Sequence, residues 1–347
     1  AIFYAVFQAR QKIEYQVWSE ILQVLLISGL GFLILFKIPS INNLSYVYLF
    51  SALLALVFVL FLFHFKIFPL KINWKFSVWR KFLLMSRPLA LTSLFGVIYS
   101  YTDSVMLGSW DMLAETGWYN AANKIVMASL IPMGLLSTSF YPVLSKFFQE
   151  SKEKLQKAWD YQLNIMVLIS FPLMAGGIVL APGIINLFYP AEFAPAILAL
   201  QILIVSAGAI SLYRPFYDVM IVSNQQAKTF WMTAAGVVIN VILNLILIPK
   251  YNLYGAAAAT VITHLIILFF CFLFTYKFTS IRFFNLDILS VFAISLVASA
   301  TMYLAIKQPP IYHLNVLFAI LIGAITYAIS FFILRKTLNY LCLKIKK

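Results

Sequence analysis

The sequence predicts an all-α, polytopic integral membrane protein, a bundle of about ten transmembrane helices. Three observations predict this class: ten long apolar stretches, a charged fraction of only 10%, and basic residues concentrated in alternate gaps between the stretches. A chain with 63% apolar residues and a mean hydropathy of +0.95 is not a soluble globular domain. We therefore interpret each apolar stretch as a helix that crosses a bilayer.

Each stretch has roughly the 17–25 residues that a helix needs to cross a hydrocarbon core. The predicted spans cover residues 20–36, 44–63, 83–107, 117–142, 162–188, 196–222, 229–248, 254–275, 287–306 and 313–334. Pro132, Pro172, Pro182 and Pro215 lie inside these spans. Their freed backbone groups need partners in neighbouring helices or a polar cavity, which favours a bundle that moves over a static anchor.

The basic residues predict the orientation of the chain. Of 25 Lys and Arg residues, only Lys37, Lys250 and Lys307 lie in the odd-numbered gaps, and Lys124, Arg87 and Arg214 lie inside spans. Because basic residues mark the cytoplasmic side, we expect a multi-pass protein of the cell membrane with both termini in the cytoplasm. The net charge of +14 is spread over loops beside apolar spans, which indicates contact with anionic lipids and not with nucleic acid.

Two even-numbered gaps are long enough to carry structure of their own. Residues 66–82 mix cations with aromatic rings and are predicted to lie on the inner membrane surface. In residues 145–160, Glu150 precedes Lys154 by four positions and Glu153 likewise precedes Lys157, which predicts a solvated helix between two spans.

An internal similarity relates two pairs of spans. The run Phe-Leu-Phe-His-Phe-Lys at 61–66 ends the second span, and Phe-Leu-Phe-Thr-Tyr-Lys at 272–277 ends the eighth. Trp18 and Trp231 lie near the start of the preceding spans. A parallel repeat of this kind is typical of transporters, although 32 Phe residues leave chance as an open alternative.

Polar residues inside spans are the candidate functional residues, because they are costly there and usually face a bundle interior or a cavity. Asp103 and Lys124 lie at similar depth in the third and fourth spans, so an ion pair, a cavity-lining role and snorkelling of the lysine all remain open. Arg214 and Asp218 share one face of the sixth span, where they either pair with each other or present a cation to a phosphate.

Three further candidates have a structural and a functional interpretation. Arg87, at the inner mouth of the third span, is either a membrane anchor or a ligand contact. Asn240 and Asn244 share a face of the seventh span and either join helices by hydrogen bonds or contact substrate. His64, His264 and His313 are scattered singly, so we expect no metal site and no cofactor. The outward gaps hold their few carboxylates singly, which argues against an enzyme.

Four segments resemble the polysaccharide-exporting branch of the multidrug/oligosaccharidyl-lipid/polysaccharide flippase superfamily. They are Tyr-Thr-Asp-Ser-Val-Met-Leu-Gly at 101–108, Thr-Gly-Trp-Tyr-Asn-Ala-Ala-Asn-Lys at 116–124, Ile-Asn-Leu-Phe-Tyr-Pro-Ala-Glu-Phe at 185–193, and Asn-Val-Ile-Leu-Asn-Leu-Ile-Leu-Ile-Pro at 240–249 with Gly-Ala-Ala at 255–257. The last is similar to a helical hairpin of that family. In the third, the family often has Gly where this chain has Tyr189 or Pro190.

The resemblance implies a bundle of 12 to 14 helices in two lobes. The ten spans then match helices five to fourteen, so the first lobe is incomplete and the chain is expected to be truncated at its N-terminus. In this scheme residues 1–65 are the last two helices of the first lobe and 66–82 are an interfacial linker. Residues 83–277 form the six-helix second lobe, and 278–347 form two appended helices with a basic tail.

The resemblance also implies a function. Members of the group are thought to move a lipid-linked oligosaccharide across the membrane by alternating access, and cations would offset its pyrophosphate. Lys124, Arg214 and Arg87 are the candidates, of which Lys124 alone matches a family motif. The expected partners are the lipid-linked oligosaccharide, membrane lipids and a coupling ion, H⁺ or Na⁺, and the protein is expected to be a monomer. A multidrug or small-cation exporter, a membrane glycosyltransferase or polymerase, and a passive scaffold are the alternatives.

Overall fold

The protein is a helical membrane bundle, as the sequence predicts. The computed structural model describes residues 2–9, 12–38, 40–67, 95–283, 285–308 and 315–345. No strand occurs in these ranges, and eight of their helical segments are long and apolar enough to cross a membrane. The all-α, polytopic fold class is therefore confirmed.

The helices are numbered in chain order. Helix α4 covers residues 95–109. The others are α1 (Ile2–Ala9), α2 (Ile13–Lys37), α3 (Ile41–Lys66), α5 (Leu113–Ser129), α6 (Ile131–Glu150), α7 (Lys152–Phe188), α8 (Pro195–Val222), α9 (Gln226–Phe278), α10 (Leu286–Ile306) and α11 (Val316–Ile345), with a 3₁₀ turn at Ala191–Phe193.

The structure divides into two compact units, residues 1–85 and 86–347. In the first unit α2 and α3 form a hairpin, and Phe7 of α1 lies against Tyr15 and Phe63 with ring centroids 5.7 and 6.2 Å apart. In the second unit α8 packs against α7 and α9, and α10 packs against α7 and α11. The predicted boundaries at residues 65, 82 and 277 stay predictions.

Helix α9 is a hairpin of two membrane spans. Its 53 residues would extend about 80 Å if straight, far more than a bilayer core. Asn252 breaks the helix with φ 51° and ψ −131°, and the two arms fold back on each other. Gly255 lies so close to the first arm that a Cβ there would stand 2.2 Å from the carbonyl oxygen of Leu247. The spans predicted at 229–248 and 254–275 are these two arms.

The predicted solvated helix over residues 145–160 is wrong. Ser151 has extended backbone angles, φ −163° and ψ 130°, and separates α6 from α7. The expected ion pairs still form across and after this break, with 2.9 Å between Lys154 Nζ and Glu150 Oε2 and 2.8 Å between Lys157 Nζ and Glu153 Oε1. Such exposed pairs stabilise a helix only slightly, so they do not prevent the break.

The predicted fourth span, 117–142, lies within one candidate membrane span, Leu113–Glu150. Leu130 separates α5 from α6 within it, and its backbone stays in the right-handed helical region with φ −83° and ψ −12°. Pro132 lies in the first turn of α6, where its missing N–H removes no helical hydrogen bond. The interfacial segment predicted at 66–82 lies outside the described residues after residue 67, as does the part of the third span before residue 95.

Replacing Gly255 with Ala should weaken the α9 hairpin, because the added methyl group collides with backbone and not with a flexible side chain. We expect a loss of about 1–3 kcal/mol, seen as a melting temperature several degrees lower in detergent. Gly117→Ala is the matched control, since a Cβ at Gly117 meets nothing within 4 Å. Equal melting temperatures for the two variants would contradict the close approach.

Candidate functional site

A buried carboxylate on α4 joins that helix to three other helical segments of the second unit. Asp103 of α4 is 7% exposed. Its Oδ1 accepts a hydrogen bond from Asn244 Nδ2 at 2.5 Å, and its Oδ2 accepts one from Thr260 Oγ1 at 2.6 Å. The hydroxyl of Tyr119, from α5, also donates to Oδ2. With Asn240 these residues form what we name the Asp103 cluster.

The two asparagines complete the cluster through the register of one helix. Asn240 and Asn244 lie one turn apart on the first arm of α9, and Asn244 Nδ2 also donates to Asn240 Oδ1 at 3.1 Å. The Oδ1 atom of Asn244 is buried and has no hydrogen-bond partner within the described part of the chain. The cluster therefore combines one carboxylate with carboxamide and hydroxyl oxygens, the ligand atoms that hard cations prefer.

Lys124 lies apart from this cluster. Its side chain is exposed, and the Asp103–Lys124 ion pair that the sequence left open is not among the ion pairs of the described residues. The physical reason is helical direction: Tyr119 faces Asp103, and five residues along α5 turn Lys124 by about 140° from it. The cost of burying the carboxylate is offset by neutral donors and not by this lysine.

A second polar cluster confirms the pairing of Arg214 with Asp218 on α8. Arg214 Nε lies 3.2 Å from Asp218 Oδ1, and the Asp218 side chain is 3% exposed. Asp218 Oδ2 accepts hydrogen bonds from Ser137 Oγ at 2.5 Å and from Gln162 Nε2 at 2.9 Å. Arg214 Nε also donates to Ser137 Oγ at 2.9 Å. These four residues, from α6, α7 and α8, are the Asp218 cluster.

Arg214 reaches from this cluster into a cavity. Its side chain is 42% exposed, and its terminal Nη atoms make no hydrogen bond within the described part of the chain. The cavity, of about 200 Å³, is lined by Arg214, Tyr99, Tyr213, Tyr217 and His264, among others. We name it the tyrosine pocket. The guanidinium is therefore held through Nε while its fork remains available to a ligand.

His264 is buried in the wall of the tyrosine pocket between two phenols. Its Nε2 lies 3.1 Å from the hydroxyl of Tyr99, and its Nδ1 lies 3.5 Å from that of Tyr213. Tyr99 is one turn before Asp103 on α4, and His264 is one turn after Thr260 on α9. The pocket and the Asp103 cluster thus share two helices.

The structure brings together most of the predicted site residues, but in two groups. Asp103, Asn240 and Asn244 meet in one cluster, Arg214 and Asp218 meet in the other, and Lys124 is in neither. Arg87 lies outside the described residues. The residues that sequence reasoning missed are the neutral partners Tyr119, Ser137, Gln162 and Thr260. Tyr119 lies inside a recognised motif, whereas hydroxyl and amide side chains at the other positions give no signal of their own.

Replacing Ser137 with Ala should destabilise the second unit, because Asp218 and Arg214 both lose a hydrogen bond inside a buried network. The expected loss is about 1 kcal/mol, measured as a lower melting temperature. Ser139→Ala, two residues along the same helix, is the control, since Ser139 is exposed and its hydroxyl donates to the carbonyl of Leu135 in its own helix. A Ser137→Ala variant as stable as this control would contradict the proposed geometry.

Two family models match the chain. The model of the polysaccharide biosynthesis protein family matches residues 1–148, and the MatE model matches residues 88–246. Two curated relatives come from Haloferax volcanii. The probable low-salt glycan biosynthesis flippase Agl15 is 23% identical over 177 residues, and the probable flippase AglR is 25% identical over 171 residues. These matches cover 50% and 48% of this chain but only 37% and 35% of the relatives.

Solved structures of transporters share the fold. An inward closed conformation of the lipid II flippase MurJ matches with a TM-score of 0.80 at 20% identity, covering 97% of this chain and 71% of that one. The inward-facing conformation of a multidrug resistance MATE family transporter matches with a TM-score of 0.68 at 17% identity, covering 80% and 66%. Together with the family models and the two flippase relatives, these matches show that the chain is similar to polysaccharide flippases and MATE transporters and shares the fold of the solved transporters.

Proposed function

We propose that this protein is a flippase that moves a lipid-linked oligosaccharide from the cytoplasmic to the outer leaflet by alternating access, for surface polysaccharide assembly. The observation that carries the proposal is the held guanidinium of Arg214 at the tyrosine pocket. Two relatives of the chain are named as flippases, one of them in glycan biosynthesis, which agrees with a glycan as cargo.

The chemistry of the cargo explains why such an arginine is needed. A pyrophosphate headgroup loses its hydration inside the membrane, and the cost is prohibitive unless cations and donors replace the water. A guanidinium fork matches two phosphate oxygens at once, and Asp218 with Ser137 holds the fork in place through Nε. Phenol hydroxyls along the same pocket suit sugar hydroxyls, because each can donate or accept a hydrogen bond.

Lys124 and Arg87 complete the proposed set of cations. Lys124 is exposed on α5, so it is free to meet an anionic headgroup that approaches the second unit. Arg87 is assigned on its sequence position alone. In this proposal the protein is a monomer in the plasma membrane, and both of its termini are in the cytoplasm.

The Asp103 cluster is proposed as the site of the coupling ion, which we take to be Na⁺. One carboxylate, two carboxamides and two hydroxyls converge in a buried space, and the Oδ1 of Asn244 has no hydrogen-bond partner among the described residues. A partially charged oxygen left unpaired in a buried site is costly, and a hard cation would satisfy it. A proton bound by Asp103 is the alternative coupling ion.

A drug or small-cation exporter of the same superfamily is the second candidate. It is favoured by the fold match to multidrug transporters and by the two buried carboxylates. Against it, Asp218 is already paired with Arg214, so its charge is not available to a cationic drug. Glycan export therefore remains the leading proposal.

Arg214→Ala should reduce polysaccharide export by tenfold or more, since charged hydrogen bonds to the cargo contribute about 1.5–3 kcal/mol. Arg214→Lys should restore export only in part, because an ammonium lacks the fork. Lys124→Ala should also lower export. The measurement is surface polysaccharide in cells lacking the native gene, with Lys157→Ala, at an exposed ion pair, as control. Normal export by both alanine variants at 214 and 124 would refute the cationic site.

Sodium should raise the melting temperature of the purified protein relative to potassium at equal ionic strength. A Na⁺ concentration ten times its Kd contributes about 1.4 kcal/mol, or a few degrees. Asp103→Asn should abolish the shift, whereas Asp287→Asn should keep it, because Asp287 is 75% exposed and outside the cluster. A stability that responds to pH through Asp103 but not to Na⁺ would assign the site to a proton instead.

A further inference from the structure

An apolar groove of about 710 Å³ opens on the surface of the second unit. Its walls include Phe269 and Phe272 from the second arm of α9 and Leu289 from α10, and its floor includes Val167 and Phe216. Helix α9 packs on α8, whereas α10 packs on α7 and α11. The groove opens between α9 and α10.

The groove lies among membrane spans and is open to the surrounding lipid. Phe269 is 58% exposed and Leu289 is 66% exposed, and both belong to helices that are long and apolar enough to cross a bilayer. A hydrocarbon chain fits walls of this chemistry. Within a bilayer, however, such a chain gains little from leaving other lipid tails. Any preference of the groove for one lipid over another must therefore come from contacts with the lipid headgroup.

An exposed cation, Arg282, adjoins the groove. It directly precedes Phe283, which lines the groove, whereas the Nζ of Lys277 lies over the ring of Phe278, which does not. The Arg282 side chain has no ion pair within the described ranges. The backbone of Arg282 is fixed by Gln156, whose Oε1 accepts from Arg282 N at 2.8 Å and whose Nε2 donates to Arg282 O at 2.9 Å. The arginine is thus presented from a held loop.

We infer that this groove binds one acyl chain of an anionic phospholipid, with the lipid phosphate against Arg282. An acyl chain fills the apolar space, and the exposed guanidinium selects a negative headgroup over a zwitterionic one. The lipid belongs to the leaflet that contains the basic ends of the helices, which the distribution of Lys and Arg assigns to the cytoplasmic side. This site is separate from the tyrosine pocket and does not depend on the transported cargo.

Native mass spectrometry of the purified protein with dioleoyl phosphatidylglycerol or dioleoyl phosphatidylcholine tests the headgroup. We expect the wild type to retain one phosphatidylglycerol in preference to phosphatidylcholine. Arg282→Gln should weaken this retention about fivefold, the effect of one cation at an anionic membrane surface. Lys152→Gln is the matched control, because it removes one exposed positive charge away from the groove and should change nothing.

A second pair of variants tests the groove itself. Leu289→Trp fills it and should reduce retention of the lipid, whereas Leu296→Trp, two turns further along α10 and 52% exposed, should not. Unchanged phosphatidylglycerol retention in Arg282→Gln, or equal retention in the two tryptophan variants, would overturn the inference. So would a polyprenyl lipid, or phosphatidylcholine held as well as phosphatidylglycerol, as the bound species.

Discussion

The arrangement of the second unit depends on the burial of one carboxylate. Asp103 draws hydrogen bonds from α5 and from both arms of α9, so four segments of chain are fixed around one charge. A buried charge without such donors costs several kcal/mol. Any other register of the helices would leave Asp103 without these donors and would be less stable by that amount. The α9 hairpin must be tight for its two arms to reach the same side chain, and the close approach at Gly255 makes it so. The Asp218 cluster does the same for α6, α7 and α8.

Much of this fold follows from hydropathy, because a membrane leaves the backbone few choices. Eight helical segments of the described ranges are long and apolar enough to cross a membrane, and the turn at Asn252 lies between two predicted spans. The breaks at Leu130 and Ser151 were harder to place: the interior Pro132 signals the first, while Ser151 has neither Gly nor Pro beside it. Boundaries of this kind are set by packing of the finished bundle, which a single sequence does not contain.

In the candidate site, too, some contacts follow from the sequence and others follow only from the packing of the helices. Helical spacing alone predicts that Asn240 joins Asn244 and that Arg214 joins Asp218, because each pair is four residues apart. Contacts between helices needed the structure: Thr260 and Ser137 are ordinary hydroxyl residues until the helices are docked. The predicted contact between Asp103 and Lys124 shows how such reasoning fails. The two residues lie at similar depth in the membrane, but the Lys124 side chain leaves α5 on a different face from Tyr119, which contacts Asp103.

The shared register of the tyrosine pocket and the Asp103 cluster has a thermodynamic consequence. Tyr99 and Asp103 are one turn apart on α4, and Thr260 and His264 are one turn apart on α9, so about 6 Å of stiff helix separates the two sites along each path. A ligand that displaces either helix at one site displaces it at the other. Linkage then makes the effect mutual: whatever factor an ion at Asp103 applies to anion affinity at Arg214, the anion must apply to ion affinity in return. For the proposed Na⁺ and anionic headgroup, the second unit alone would then bind both ligands and couple their binding.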